Sequence, residues 1–195
     1  MSKKLSITTA DYLTWDQNLN LIRKLIDDNE YRMALLISFG TFWGLRVGDI
    51  LRIHWTDVLD KDEFVLIEGK TKKIREIKIN IQLQKHIHSC YEAIKPATLA
   101  EPIFISQKKT TFSIQRINVL LKKIKSRYGL KIRNFSSHSL RKTFGREVFQ
   151  ASGTNAELSL VKLSQLFNHS NTAVTRRYLG ISQEELMQTY DILKF

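Results

Sequence analysis

Residues 31–43, YRMALLISFGTFW, set the strongest limit on what this chain can become. Read as a helix, the stretch spreads Met33, Leu35, Leu36, Ile37, Phe39, Phe42 and Trp43 around most of its circumference, and a helix with so little polar face belongs at the centre of a core. Amphipathic segments stand on either side of it. Thr14-Trp15-Asp16-Gln17 reads as a capping box opening a helix to about Asp28, with Leu21, Ile22, Leu25 and Ile26 on one face. Further helices are expected over residues 81–95, over 113–127 with Ile114, Ile117, Leu120, Leu121 and Ile124 on one stripe, and from His138 onward with Leu140, Phe144 and Val148 turned inward. Two more are expected over 158–167 and over 182–193, the last capped by Ser182 with Glu185 three residues on. Residues 63–68 and 74–79 are β-rich, the second clearly alternating, and the link Gly69-Lys70-Thr71-Lys72-Lys73 makes them a hairpin; residues 103–105 are strand-like. The expected class is therefore mixed, mainly α with a small antiparallel β-hairpin. Two Pro and eight Gly in 195 residues leave no linker, so residues 1–195 read as one domain.

Charge narrows the partners. Lys and Arg number 31 against 19 Asp and Glu, a formal net charge of +12, which is the footprint of a polyanion binder and first of all of a nucleic-acid binder. No apolar run approaches the roughly 20 residues of a membrane span, and the opening MSKKLSITTA lacks the apolar centre of a signal peptide, so a membrane partner is set aside. Cys90 is the only cysteine, which excludes an internal disulfide and fits a reducing cytoplasm. His86 and His88, two apart, diverge on a helix, and no Cys, His and carboxylate set has zinc-like spacing, so no metal is expected.

Four polar clusters remain. Arg46 follows the central helix with Asp49 one turn on, and two readings stay open: an ion pair between them, or a phosphate clamp whose rotamer a carboxylate fixes. Lys70, Lys72 and Lys73 crowd the hairpin tip, as a solvated tip or as groups reaching DNA. His138 and Arg141, three apart, share a helix face. Residues 166–180, LFNHSNTAVTRRYLG, put His169 nine residues before Tyr178, with Arg176 and Arg177 immediately ahead of the tyrosine. A phenol near pKa ~10 is a poor nucleophile, and cations around it would favour the phenolate and a charged transition state at phosphorus.

Taken in order, GLRVGDIL, GKTKKIREIKI, HSLRKTF and LFNHSNTAVTRRYLG resemble the four boxes of the catalytic domain of the tyrosine recombinases, the phage-integrase family that includes Xer recombinases and fimbrial invertases. The likeness runs from about Thr14 to the end of the chain. Lys142 departs from the family's usual His, Asn168 from the Gly that commonly precedes the second His, and residues 151–160 make a longer connection than usual.

The resemblance implies that fold and a site-specific recombinase or integrase acting on double-stranded DNA, assembled as a tetramer on it, in the cytoplasm, without cofactor or small-molecule substrate. It makes Tyr178 the nucleophile of a 3′-phosphotyrosyl intermediate, Arg46 and Arg141 the clamp on the non-bridging oxygens, His169 a further donor and Lys70 the acid for the departing 5′-oxygen. His138 becomes a proton acceptor or a phosphate ligand, Asp49 a residue orienting a catalytic group, and Lys72, Lys73, Arg176 and Arg177 DNA contacts. The N-terminal DNA-binding domain of most family members is expected to be missing here. A regulator derived from a recombinase but without catalysis, and a type IB topoisomerase-like enzyme, are the competing expectations.

Overall fold

The computed structural model describes residues 10–181, 187 and 190. Its first helix, α1 (Trp15–Asp27), opens on the expected capping box: Thr14 accepts from the Gln17 N–H while the Gln17 side chain accepts from the Thr14 N–H. The central helix α2 (Tyr31–Phe42) is buried from Met33 through Thr41 without a break, and α1 packs on it. Two short helices follow, α3 (Val47–Ile50) and α4 (Trp55–Val58), then the hairpin β1 (Glu63–Ile67) and β2 (Ile74–Lys78), antiparallel with Leu66 opposite Arg75. Next come α5 (Ile81–Ile94) and α6 (Ile114–Arg127), capped by Asn80 and Ser113, and then α7 (Ser137–Ala151), capped by Ser136. A 3-10 turn leads into α8 (Ala156–Phe167), and α9 (Thr172–Leu179) is capped by Asn171. Among the described residues the result is mainly helical with one two-stranded antiparallel sheet.

Among the described residues two apolar clusters form the interior. The larger surrounds α2 and draws on α1, α5 and α6; the smaller joins Leu160, Leu163, Phe167, Leu179 and Ile181. Helix α7 belongs to both, with Leu140 in the first and Phe144 and Val148 against the second. Close approach makes this possible: a Cβ at Gly40 would lie 2.7 Å from Leu140, and one at Gly145 would lie 2.6 Å from Leu179.

Two expectations change. Residues 103–105 join no ladder; Ile103 and Phe104 are buried, while Ile105 only bridges Thr111 and Pro102 bridges His54, since two-residue contacts cannot propagate a strand. Ile114, placed on the buried stripe of α6, is 45% exposed, because it stands in the first turn, beyond the edge of the core, with Gly48 beneath it. The helix expected over 182–193 lies outside the described residues except for Met187 and Tyr190, both exposed.

Gly44 ends the central helix's neighbourhood with φ +60, and a Cβ there would meet Phe144 at 2.3 Å. Gly129 has φ +59 and nothing within 4 Å of the same atom. Gly129→Ala should therefore cost only left-handed backbone strain, about 1 kcal/mol. Gly44→Ala should cost clearly more, read as the difference in denaturant midpoints, and equal losses would contradict the claimed clash.

Candidate active site

Arg46 and Arg141, and Arg75, which the sequence did not single out, are anchored by carbonyls at helix ends. The last carbonyls of a helix have no partner within it and carry partial negative charge. Trp43 and Gly44, just past α2, lend theirs: Arg75 Nη2 donates to the Trp43 carbonyl at 2.6 Å and Arg141 Nη1 to that of Gly44 at 2.6 Å. Arg46 Nη2 donates to the carbonyl of Phe167, the last residue of α8, at 3.1 Å. Asn168 makes this carbonyl available by ending α8 in the left-handed region at φ 53. Arg141, only 5% exposed, also lies over the Phe167 ring with its guanidinium carbon 4.2 Å from the centroid. Burial first, then Arg46 and Arg75, push its pKa down to about 10 against the pull of Tyr178 and Glu68, so it stays charged at neutral pH.

Arg46, Lys70, His138 and Arg141 line a single cleft of about 580 Å³, with Asp49, Ile114 and Asn118 in its walls. Asp49 does not pair with Arg46. Its Oδ1 accepts from Arg52 Nη2 and from the Gly69 N–H, both at 2.8 Å, because α3 carries its side chain toward the hairpin; it thereby holds the residue that precedes Lys70. Lys70, Lys72 and Lys73 are all exposed, and Lys73 lines a neighbouring hollow beside Asn168 and His169.

His169 and Tyr178 stand next to the cleft, each packed on the edge of Phe167 and with ring centroids 5.3 Å apart. His169 Nδ1 and Thr175 Oγ1 are 2.9 Å apart, and Thr175 meets Ser164 Oγ at 2.8 Å, so α8 and α9 together fix the imidazole. Tyr178 Oη donates a long hydrogen bond, 3.5 Å, to the His138 carbonyl rather than to its ring.

The charge around Tyr178 has a different source from the one expected. Residues one and two places before it on a helix point away from it: Arg176 turns to Glu157 and Arg177 is exposed. Arg141 and Arg46 supply the field, and the Lys142 ammonium lies 5.4 Å from the Tyr178 ring centroid. These cations do not make a phenolate. Burial outweighs them and pushes the phenol up to about 12, so the resting group is protonated.

Glu68 escaped the sequence reading altogether. Its carboxylate is 1% exposed, and Oε2 accepts from Arg46 Nη1 at 2.9 Å, Thr71 Oγ1 at 2.6 Å and Asn168 Nδ2 at 2.8 Å. Burial works to raise its pKa, but the hydrogen bonds from Thr71 and Arg46 and the charges of Arg46 and Arg75 win and hold it below the ordinary value. A signal existed: the strand period of two puts Glu68 inward beside Phe64 and Leu66, and Arg75 inward beside Ile77. Lys142, noticed only as a departure, is likewise buried, at 9%.

The chain matches the phage integrase family over residues 11–185. Among curated proteins it is 32% identical over 178 residues to a probable integrase/recombinase YoeC of Bacillus subtilis, covering 90% of this chain and 92% of that protein. It is 25% identical over 190 residues to tyrosine recombinase XerC of Caldanaerobacter subterraneus, where it covers 96% of this chain but spans about half (52%) of the longer protein. Among solved structures, XerA recombinase superposes with TM-score 0.72 at 22% identity, covering 97% of this chain and 68% of that one. A lambda integrase dimer bound to a COC′ core site gives 0.63 at 17%, covering 89% and 49%.

Burial, ahead of any other cause, holds the imidazoles of His86, His138 and His169 below their ordinary 6.5. Below that value the unfolded chain binds protons that the folded one refuses, so stability falls with falling pH. Melting temperature should drop between pH 7.5 and 5.5, and less so in a His86→Gln variant; a flat profile would contradict the assignment. Glu68, with its lowered pKa, contributes a separate loss that begins only below about 4.5.

Proposed function

The chain belongs to the phage integrase family, and on that premise we propose that it is a site-specific DNA recombinase whose Tyr178 attacks a scissile phosphate. One observation carries the reading: Arg46, Lys70, His138 and Arg141, from three distant segments, line one cleft, and Tyr178 and His169 adjoin it across the Phe167 ring. Cations gathered at one wall suit a phosphodiester, whose charge grows in the transition state. Arg46 and Arg141 spend one or two N–H groups each on protein oxygens, and the rest of each five-donor fork stays free for the non-bridging oxygens. Held in place by helix-end carbonyls, those donors need little reorganisation when charge develops.

The nucleophile's proton has to leave as the bond to phosphorus forms, since the resting phenol is protonated. His138, held neutral by burial and by Arg141 and Lys142, is an acceptor at pH 7 and starts the helix whose carbonyl Tyr178 already touches. His169 donates to the phosphate from the other side. Lys70, on the exposed hairpin tip that Asp49 steadies, delivers a proton to the 5′-oxygen as it departs. The product is a 3′-phosphotyrosyl bond and a free 5′-hydroxyl. That bond keeps the energy of the broken phosphodiester, so a 5′-hydroxyl of another strand reverses the step and exchanges strands. The partner is double-stranded DNA, in keeping with the +12 charge and with relatives solved on DNA, and exchange between two sites calls for several copies of the chain.

On a nicked suicide duplex, from which the freed 5′ fragment diffuses away, the wild-type chain should accumulate a covalent adduct. Tyr178→Phe should bind the duplex with similar affinity and form none; adduct in undiminished yield would remove Tyr178 from its role. For Lys70 the test is a leaving group that needs no proton. A 5′-bridging sulfur should restore cleavage to Lys70→Ala, and rescue of Lys72→Ala or Lys73→Ala in its place would assign the acid to another lysine.

A further inference from the structure

One buried oxygen links three of the four segments that carry the proposed catalytic groups. Glu68 Oε2 takes hydrogen bonds from Arg46, from Thr71 beside Lys70, and from Asn168 beside His169. Arg46 closes the figure, because its other terminal nitrogen donates to the carbonyl of Phe167, the residue just before Asn168. The circuit runs from guanidinium to carboxylate to amide and back through the chain to the guanidinium. Its second carboxylate oxygen, Oε1, faces Arg75 Nη1 at 3.9 Å. We infer that Glu68 is a positioning residue for strand cleavage, the group that fixes Arg46 and the His169 loop against each other and ties both to the hairpin tip before DNA arrives.

A simpler role is available, and magnitudes separate the two. A carboxylate among Arg46 and Arg75 would help folding merely by offsetting their repulsion, and any neutral group would then lower stability without singling out the chemical step. The contacts ask for more than charge balance. Arg75 sits nearest Oε1 yet makes no hydrogen bond to it, whereas all three hydrogen bonds fall on Oε2, which faces Arg46 and the loop. An arginine loses rotamer freedom when it is immobilised. Where the folded protein has already borne that loss, the transition state gains the full contact, and a displacement of about 1 Å at such a donor costs on the order of 100-fold in rate. Binding should barely notice, because affinity for a duplex is spread over many phosphates.

The inference rests on the recombinase reading and is tested beside it, by single-turnover cleavage at saturating suicide duplex, with duplex affinity and melting temperature measured on every protein. Glu68→Gln keeps the shape and removes the charge. It should slow cleavage about 10- to 100-fold and change the dissociation constant less than about threefold. In an Arg46→Ala background it should cause little further loss, since the group it positions is gone. A rate within twofold of wild type overturns the inference, and so does an equal loss with and without Arg46, which would mark a general effect on the fold. Should Glu68→Gln fail to fold, Asn168→Ala removes one bond of the circuit and leaves the buried charge paired; it should slow cleavage severalfold, and an unchanged rate would overturn the inference equally. A wild-type chain that forms no adduct would be a different failure, that of the recombinase reading itself, and the positioning role would fall with it.

Discussion

Three guanidinium groups, those of Arg46, Arg75 and Arg141, sit close enough for Arg141 to be perturbed by both of the others, and holding that charge together is the constraint the structure answers. Like charges in a half-buried site repel more strongly than at the surface, because burial weakens the screening by solvent. The fold meets them with carbonyl oxygens at two helix ends and with one buried carboxylate. Each helix end is shaped for the task by a residue of positive φ, Gly44 after α2 and Asn168 after α8. The apolar burial of α2 serves the same end, because carbonyls just past a helix can fix an arginine only while the helix itself is held in place.

Helix α7 explains how one cleft can draw on both apolar clusters. Leu140 holds it to the larger, Phe144 and Val148 to the smaller, and Arg141 leaves the same helix between them. Phe167 then serves as a common wall, touched by Arg141, His169 and Tyr178. The tyrosine therefore reaches the cleft by packing, and the same packing keeps its phenol protonated. On the recombinase reading that is useful restraint, because the nucleophile forms only where a proton acceptor and a phosphate are both in place.

The parts of this arrangement that depend on neighbours in sequence were legible from the chain. The capping box at Thr14, the all-round apolar α2 and the alternation of the hairpin are set within a few residues, and each appears as expected. The candidate site residues were picked out through a resemblance to a family, and the cleft gathers four of them. Long-range pairing was not legible. Glu68 meets partners 22 and 100 residues away, and nothing local says that its inward place on a strand will be answered by Arg46 and Asn168. Arg176 misled for the opposite reason: closeness in sequence to Tyr178 suggested closeness in space, and helical geometry sends the two side chains apart.

The central claim is a bond between Tyr178 and a DNA 3′-phosphate, and the most direct measurement identifies that bond chemically. The adduct from a suicide duplex would be digested with nuclease and trypsin and its nucleotide-bearing peptide sequenced by tandem mass spectrometry. The account predicts a single modified residue, Tyr178, joined through phosphate to the 3′ end of the cleaved strand. A nucleotide carried on any other side chain, or joined through a 5′-phosphate, would contradict it.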